Sequence, residues 1–205
     1  MLDLWFESEV KPRLGGKALL VRYADDFVMG FEQEEDARRV EAVLARRLER
    51  FGLKLNLKKT RLLDFRPPPD GSAEGKGSAT FDFLGFTLYW RKTRKGGWRV
   101  WCKTRSARLK RAMQVIDDWC RQNRHKSVQE QHAALRRRIQ GHNQYFGVNG
   151  NFDQLKKLVA EAERSWLKWL RRRSQRSRLN WERFQQLLKV YPLPRPKIVV
   201  QIWGT

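Results

Sequence analysis

Cysteine and histidine are nearly missing from the 205 residues: Cys102 and Cys120, and His125, His132 and His142, are the full set. Two cysteines are too few for a disulfide framework, and the five residues share no zinc-ligand spacing, so they read as packing residues. Long apolar runs are absent too. No stretch approaches the ~20 residues of a membrane span, and the opening MLDLWFESEV is acidic where a secretory signal is basic and then apolar. The expectation is an intracellular, cytoplasmic protein with no membrane partner. Acidic residues run short in one part of the chain only. Residues 1–90 hold 15 Lys+Arg and 15 Asp+Glu, whereas residues 91–205 hold 29 and 7, so the formal net charge of +22 belongs to the second part.

What is present supports a folded chain. An apolar fraction of 40% with 12% aromatics, including 9 Trp and 11 Phe, suffices for a core and excludes a wholly disordered basic tail. The charge contrast points to a balanced piece followed by one whose surface lies along a polyanion, because solubility alone needs a net charge of only ~2–8.

Ala18–Tyr23 (ALLVRY) and Phe27–Phe31 (FVMGF) are short β-rich runs separated by Ala24-Asp25-Asp26, which reads as a hairpin with two carboxylates at its tip. From Gln33 to Phe51, Val40, Val43, Leu44, Leu48 and Phe51 recur at helical spacing. Glu34, Glu35 and Asp36 sit in the first turn, where the helix dipole favours them, and Gly52 ends the helix. Leu53, Leu55 and Leu57 alternate with polar residues and predict a strand, completing a small α+β layer. RPPPDGSAEGKGSA (66–79) has loop composition. A second hairpin is expected from FDFLGFTLYW and WRVWCK joined through RKTRKGG.

From Ser106 the period becomes helical, with Leu109, Ala112, Met113, Ile116 and Trp119 on one stripe, which places a domain boundary near residue 104. Ser127-Val128-Gln129-Glu130 fits a capping box that opens a second helix through Leu135 and Ile139. Asn151 is a suitable cap for a third, whose stripe is Leu155, Leu158, Val159, Ala162, Trp166, Trp169 and Leu170. A shorter fourth helix, Trp181–Val190, ends before Pro192, and the tail IVVQIW either adds a strand or drapes over the core. Three to four helices make an all-α bundle.

Two adjacent aspartates at an apolar hairpin repel one another, and a divalent cation removes that cost. Carboxylate oxygens are hard ligands that suit Mg²⁺ and equally Mn²⁺, and a pair of such ions can activate a 3′-hydroxyl and stabilise a leaving pyrophosphate. Asp-Asp is also an ordinary turn composition. The surroundings add to the dipeptide: Tyr23-Ala24-Asp25-Asp26 between two β runs, then GLKLNLKKT (Gly52 to Thr60), FDFLGF (Phe81 to Phe86), RRIQGHNQYFGVNGN (Arg137 to Asn151) and PLPRPKIV (Pro192 to Val199). In this order the segments resemble the palm and thumb of a group II intron-encoded reverse transcriptase, or maturase.

The resemblance implies an α+β fold in which 1–104 is a partial polymerase palm, antiparallel hairpins with a packed helix, followed by a basic helical thumb over 105–191 and a tail over 192–205. It implies Asp25 and Asp26 as metal-binding carboxylates for Mg²⁺, with Asp25 the surer ligand. Lys59 falls in the motif whose lysine lies near the incoming triphosphate, where it would neutralise or protonate the departing pyrophosphate; a solvated strand-end lysine reads equally well there. Phe83, Leu84 and Gly85 would belong to the strand that grips the primer end, although a bulge also explains Gly85. Arg136, Arg137, Arg138, Arg171, Arg172 and Arg173, with Lys156, Lys157, Arg176 and Arg178, would lie along phosphates of structured RNA or an RNA/DNA primer-template, giving salt-sensitive binding with little base reading. Trp166 and Trp169 read as core, and Trp98, Trp101 or Tyr145 as the aromatics that touch bases or sugars.

Such a polymerase needs a further aspartate, which the family places upstream with the fingers, and the acidic residues before Asp25 are Asp3, Glu7 and Glu9. The chain is therefore expected to be the C-terminal part of a longer enzyme, a split-gene product or a remnant. Three readings follow: a polymerase completed by a companion chain carrying fingers and the rest of the palm; a non-catalytic, maturase-like RNA-binding protein assisting splicing; and a degenerate remnant destabilised by an uncovered sheet edge. No cysteine and histidine cluster follows Pro196, so no endonuclease domain is expected.

Overall fold

The computed structural model describes residues 1–69, 79–174 and 178–202, and the chain divides into two compact units, 1–84 with 89–99 and 85–88 with 100–205. The class is mixed α+β, with antiparallel sheets followed by four helices.

In the first unit, helix α1 (Leu2–Trp5) runs on through a wide π-helical turn over Phe6–Val10 and a tight 3₁₀ turn over Lys11–Arg13. Strands β1 (Ala18–Tyr23) and β2 (Asp26–Phe31) pair antiparallel, and helix α2 (Glu34–Glu49) follows. Leu2, Trp5, Phe6 and Val10 bury against Val40, Leu44 and Leu48, with Ala18, Leu20, Phe27, Met29 and Phe31 packed on this cluster. The alternate residues of the hairpin thus face the cluster to which α2 contributes its three- and four-spaced residues, with β2 in contact with α2. Val43 and Phe51, expected on the apolar stripe, are half exposed: Val43 lies off the Val40, Leu44 and Leu48 side of α2, and Phe51 falls in the turn beyond the helix end.

The end of α2 follows its glycine. Gly52 takes φ +69°, Leu53 N donates to Leu48 O and Gly52 N to Glu49 O, the paired bonds of a Schellman stop. At the other end, Asp36 is buried and its carboxylate accepts from the amides of Gly15 and Gly16 at 2.9 and 3.0 Å, pinning the segment that enters β1.

Two sequence expectations fail here. Leu53–Leu57 is irregular rather than a strand, with Leu53 and Leu57 exposed and only Leu55 turned to the core. Local bonds take over: Asn56 O accepts from Lys59 N, Thr60 N and Thr60 Oγ1, closing a turn where a ladder would need extended backbone. FDFLGFTLYW is not one strand. Leu84 and Gly85 have φ +49° and +80°, and the chain reverses there between β3 (Phe81–Phe83) and β4 (Phe86–Lys92). Strand β5 (Trp98–Thr104) completes a sheet of order β3-β4-β5, its connection closed by Thr93 N to Gly97 O. The loop expected over 66–79 lies partly outside the described residues.

The second unit is built on α3 (Ser106–Gln122), α4 (Val128–Phe146), α5 (Phe152–Arg171) and α6 (Trp181–Val190). All seven residues of the expected α5 stripe are buried, and Leu158, Val159, Ala162, Trp166, Trp169 and Leu170 pack with Leu109, Ile116, Cys120, Leu135, Ile139 and Phe184. Each large apolar side chain withdrawn in this way stabilises by about 1.5–3 kcal/mol. Trp119, Ala112 and Met113 flank this core. The capping box forms: Ser127 Oγ accepts from Glu130 N at 3.2 Å, while the Glu130 carboxylate accepts from Ser127 N at 3.0 Å.

Asn151 does not cap α5 with its side chain. The group is fully buried and its oxygen accepts from Thr104 N, while its amide donates to Thr104 Oγ1 and Phe146 O, because the interior offers it fixed partners that the helix end does not. Asn180 caps α6, its side-chain oxygen accepting from Arg183 N at 2.9 Å. Of the tail, Val200 makes a single parallel bridge to Val148, and Leu193 is buried, so the segment drapes rather than adding a strand; Trp203 lies outside the described residues.

Candidate active site and nucleic-acid interface

The register of the first hairpin places Tyr23 opposite Asp26, so the connection is the two-residue turn Ala24-Asp25 and Asp26 already belongs to β2. Ala24 has φ +53° and Asp25 has negative φ, the sign pattern of the II′ turn whose twist suits a hairpin. A left-handed alanine is strained by about 1–2 kcal/mol. Arg22 braces it: the guanidinium donates to Ala24 O at 2.9 Å and grips the Asp3 carboxylate at 2.6 to 3.0 Å. That hydrogen-bonded guanidinium holds the Asp3 carboxyl below its usual range.

Strand alternation sends Asp26 to the face of Leu19, Val21, Tyr23 and Val28, opposite the face that packs on α2. Leu19, Val21 and Tyr23 are exposed there. Asp25 and Asp26 are themselves exposed, and neither carboxylate has a hydrogen bond or ion pair with another described residue. Four hard oxygens without internal partners suit a divalent cation. The earlier acids are occupied: Asp3 by Arg22, Glu7 by Lys11 at 2.8 Å and Glu9 by Arg47 at 3.3 Å. Among the described residues no three His, Cys, Asp or Glu side chains gather as a metal-binding group.

Lys59 lies in the same unit as the aspartates, exposed on the turn whose carbonyl is Asn56 O. Strand β3, which ends in Phe83, runs beside β2 within this unit. The turn residues Leu84 and Gly85 are half-buried. Gly85 has a positive φ, a Cβ placed on it would meet the Phe146 ring at 3.4 Å, and its carbonyl accepts from Arg105 N at 2.9 Å. Gly85 therefore serves a tight turn of the backbone, not a bulge.

In the second unit the arginine runs divide by surroundings. Arg136 and Arg137 on α4 and Arg171 at the end of α5 are exposed and make no hydrogen bond or ion pair with described residues. Arg138 instead lies over the Trp119 ring at 4.6 Å and donates to Ala134 O at 3.1 Å, and burial pulls its guanidinium below the ordinary value. Arg172 rests over Trp169 at 4.9 Å, and Arg173 donates to Arg124 O and Lys126 O, closing the α3–α4 connection. Lys156 is exposed beside Phe152, and Arg176 lies outside the described residues. Trp166 and Trp169 are core, as expected, while Trp98 and Trp101 are half-buried and Tyr145 is 56% exposed, stacked on Phe86.

Sequence reasoning overlooked the Arg22–Asp3 brace, whose partners are 19 residues apart, and Trp181, exposed at the start of α6. Both cysteines are buried, and burial pushes the Cys120 thiol up to about 12, so it stays protonated in packing.

No curated protein matches the chain significantly. The family model described as reverse transcriptase (RNA-dependent DNA polymerase) matches residues 5–88. The segment that carries the Asp25–Asp26 hairpin, α2, the Lys59 turn and the Phe83–Leu84–Gly85 turn is thus the segment similar to the reverse transcriptases.

Proposed function

We propose that the chain takes part in RNA-directed DNA synthesis of the group II intron type, as the second half of a palm (within 1–104) followed by a thumb (105–191) and a tail (192–205). The observation that carries this is the hairpin tip: two adjacent, exposed carboxylates without partners among the described residues, on a braced turn inside the stretch similar to reverse transcriptases. Asp25 and Asp26 hold the metal in this reading. Mg²⁺ bound there supplies activation of the primer 3′-hydroxyl and stabilisation of the leaving pyrophosphate. Arg22 and Asp3 keep the turn in its left-handed form so that both carboxylates stay presented. Lys59 offers its ammonium to the triphosphate, and the Phe83, Leu84 and Gly85 turn supports the primer end. A companion chain carrying fingers and a third carboxylate completes the site.

Primer extension on an RNA template with Mg²⁺ tests it, comparing the chain alone, with its companion, and as Asp25→Ala. Extension that appears only with the companion and disappears in Asp25→Ala is the expected result. Extension by the chain alone contradicts the need for a companion, and extension that persists in Asp25→Ala contradicts the role of the hairpin.

A second reading, a non-catalytic maturase-like protein that grips intron RNA and assists its splicing, is favoured by one observation: residues 91–205 carry 29 basic and 7 acidic residues. It predicts RNA binding and splicing assistance that survive loss of Asp25 and Asp26.

A further inference from the structure

Helix α5 has a second side besides its apolar stripe. Lys157, Arg164, Lys168 and Arg171 follow one another at intervals of seven, four and three residues, which the helical repeat brings onto one face. Arg164, Lys168 and Arg171 join Leu167 and Trp181 in lining an open groove of about 440 Å³. Leu167 supplies an apolar floor. Trp181 forms a wall: its indole is 49% exposed while tilting against Phe184 at 5.9 Å, so one side is anchored and the other is open.

The cations differ in how far they are committed. Lys168 is held by Asp117 at 3.0 Å and lies over Trp169 at 4.8 Å, which fixes its place on the rim. Arg164 pairs with Glu161 at 3.2 Å in an exposed ion pair, an attachment too weak to compete with a phosphate. Arg171 has no partner among the described residues. A groove lined by three cations and an anchored, open indole suits a strand with unstacked bases, because the A-form duplex keeps its bases stacked away from such a ring.

We propose that this groove binds single-stranded RNA, its phosphates on Arg164, Lys168 and Arg171 and one base stacked on Trp181. The proposal rests on the nucleic-acid-binding part of the reading above and is independent of the Asp25–Asp26 hairpin.

The test is fluorescence anisotropy of the full chain with a labelled twelve-residue oligouridine and with an RNA duplex, across a salt series. Trp181→Ala is expected to weaken oligouridine binding about 5- to 150-fold with an unchanged salt slope and little effect on the duplex, and Trp181→Phe to recover most of the loss. Arg164→Gln/Arg171→Gln, which leaves the indole in place, is expected to reduce the salt slope by about 1.4. Oligouridine binding by Trp181→Ala within twofold of wild type, an equal loss on duplex, or an unchanged slope in the arginine variant overturns the groove. Wild-type protein that binds neither RNA overturns both the groove and the RNA-binding reading, whereas wild-type binding indifferent to all three variants overturns the groove alone.

Discussion

Asn151 and Thr104 are joined twice: the Asn151 side-chain oxygen accepts from Thr104 N at 2.7 Å, and its amide donates to Thr104 Oγ1 at 2.7 Å. A third bond, to Phe146 O, makes one buried amide the link between the end of β5 and the corner where α4 gives way to α5. Neighbouring Gly150 has φ +93°, and a Cβ on it would meet the Trp101 ring at 2.4 Å, so the chain has room there only for glycine.

Replacing Asn151 by Ala strands the Thr104 amide and the Phe146 carbonyl away from water. The expected loss is roughly 2–4 kcal/mol of stability, read from urea unfolding. Asn151→Asp keeps the acceptor and loses both donated bonds, so it should not recover wild-type stability.

Gln131 is the second such hub. Its amide donates to the carbonyls of Asn123, Arg124 and Lys126, and its oxygen accepts from Trp166 Nε1 at 2.9 Å. Gln131→Met keeps the volume and removes every bond, and a loss of about 2–3 kcal/mol in the same unfolding measurement is expected. Near-UV circular dichroism should report the change at Trp166.

Burial lowers the His142 imidazole to about 4, and its Nε2 is enclosed beside the Phe146 ring with no hydrogen-bond partner among the described residues. The folded state therefore favours neutral His142. Its contribution is fully present above the ordinary histidine pKa, near 6.5, and is lost as pH falls from there towards 4, because the unfolded chain takes the proton first. Urea midpoints measured between pH 7 and pH 5 should fall with pH, and the fall should be smaller in His142→Phe.

Asp25 and Asp26 have no hydrogen-bond or ion-pair partners among the described residues, so Asp25→Asn should leave stability within about 0.5 kcal/mol of wild type in EDTA. Mg²⁺ should raise the melting temperature of the wild type and not that of Asp25→Asn, since a ligand stabilises only the state that binds it. Equal Mg²⁺ shifts in both proteins would place the ion elsewhere.

Much of the fold was legible because its signals are local. The Gly52 stop and the Ser127–Glu130 box depend on residues a few positions apart, and the α5 stripe shows itself in its own periodicity, so no knowledge of neighbours is needed to read them. The Asp25–Asp26 tip was legible for the same reason, as a two-residue turn between apolar runs; only the placement of Asp26 on the strand was new.

The remainder depended on what lies across from each residue. Leu53, Leu55 and Leu57 alternate like a strand, yet the Asn56 turn captures that backbone. Asn151 looks like a cap, but Thr104, 47 residues away, offers it better-buried partners. Arg136 and Arg138 are indistinguishable in sequence; both are exposed, but Arg138 lies over the Trp119 ring and donates to Ala134 O, whereas Arg136 has no partner among the described residues. The amino-acid order alone determined the first hairpin, the α2–α6 helices, the carboxylate pair and the basic second part, because turn chemistry, periodicity and charge are properties of the chain. Which arginines stay available, which tryptophan remains open and what braces the Ala24 turn were decided by tertiary packing, since exposure and long-range hydrogen bonds exist only once distant segments meet.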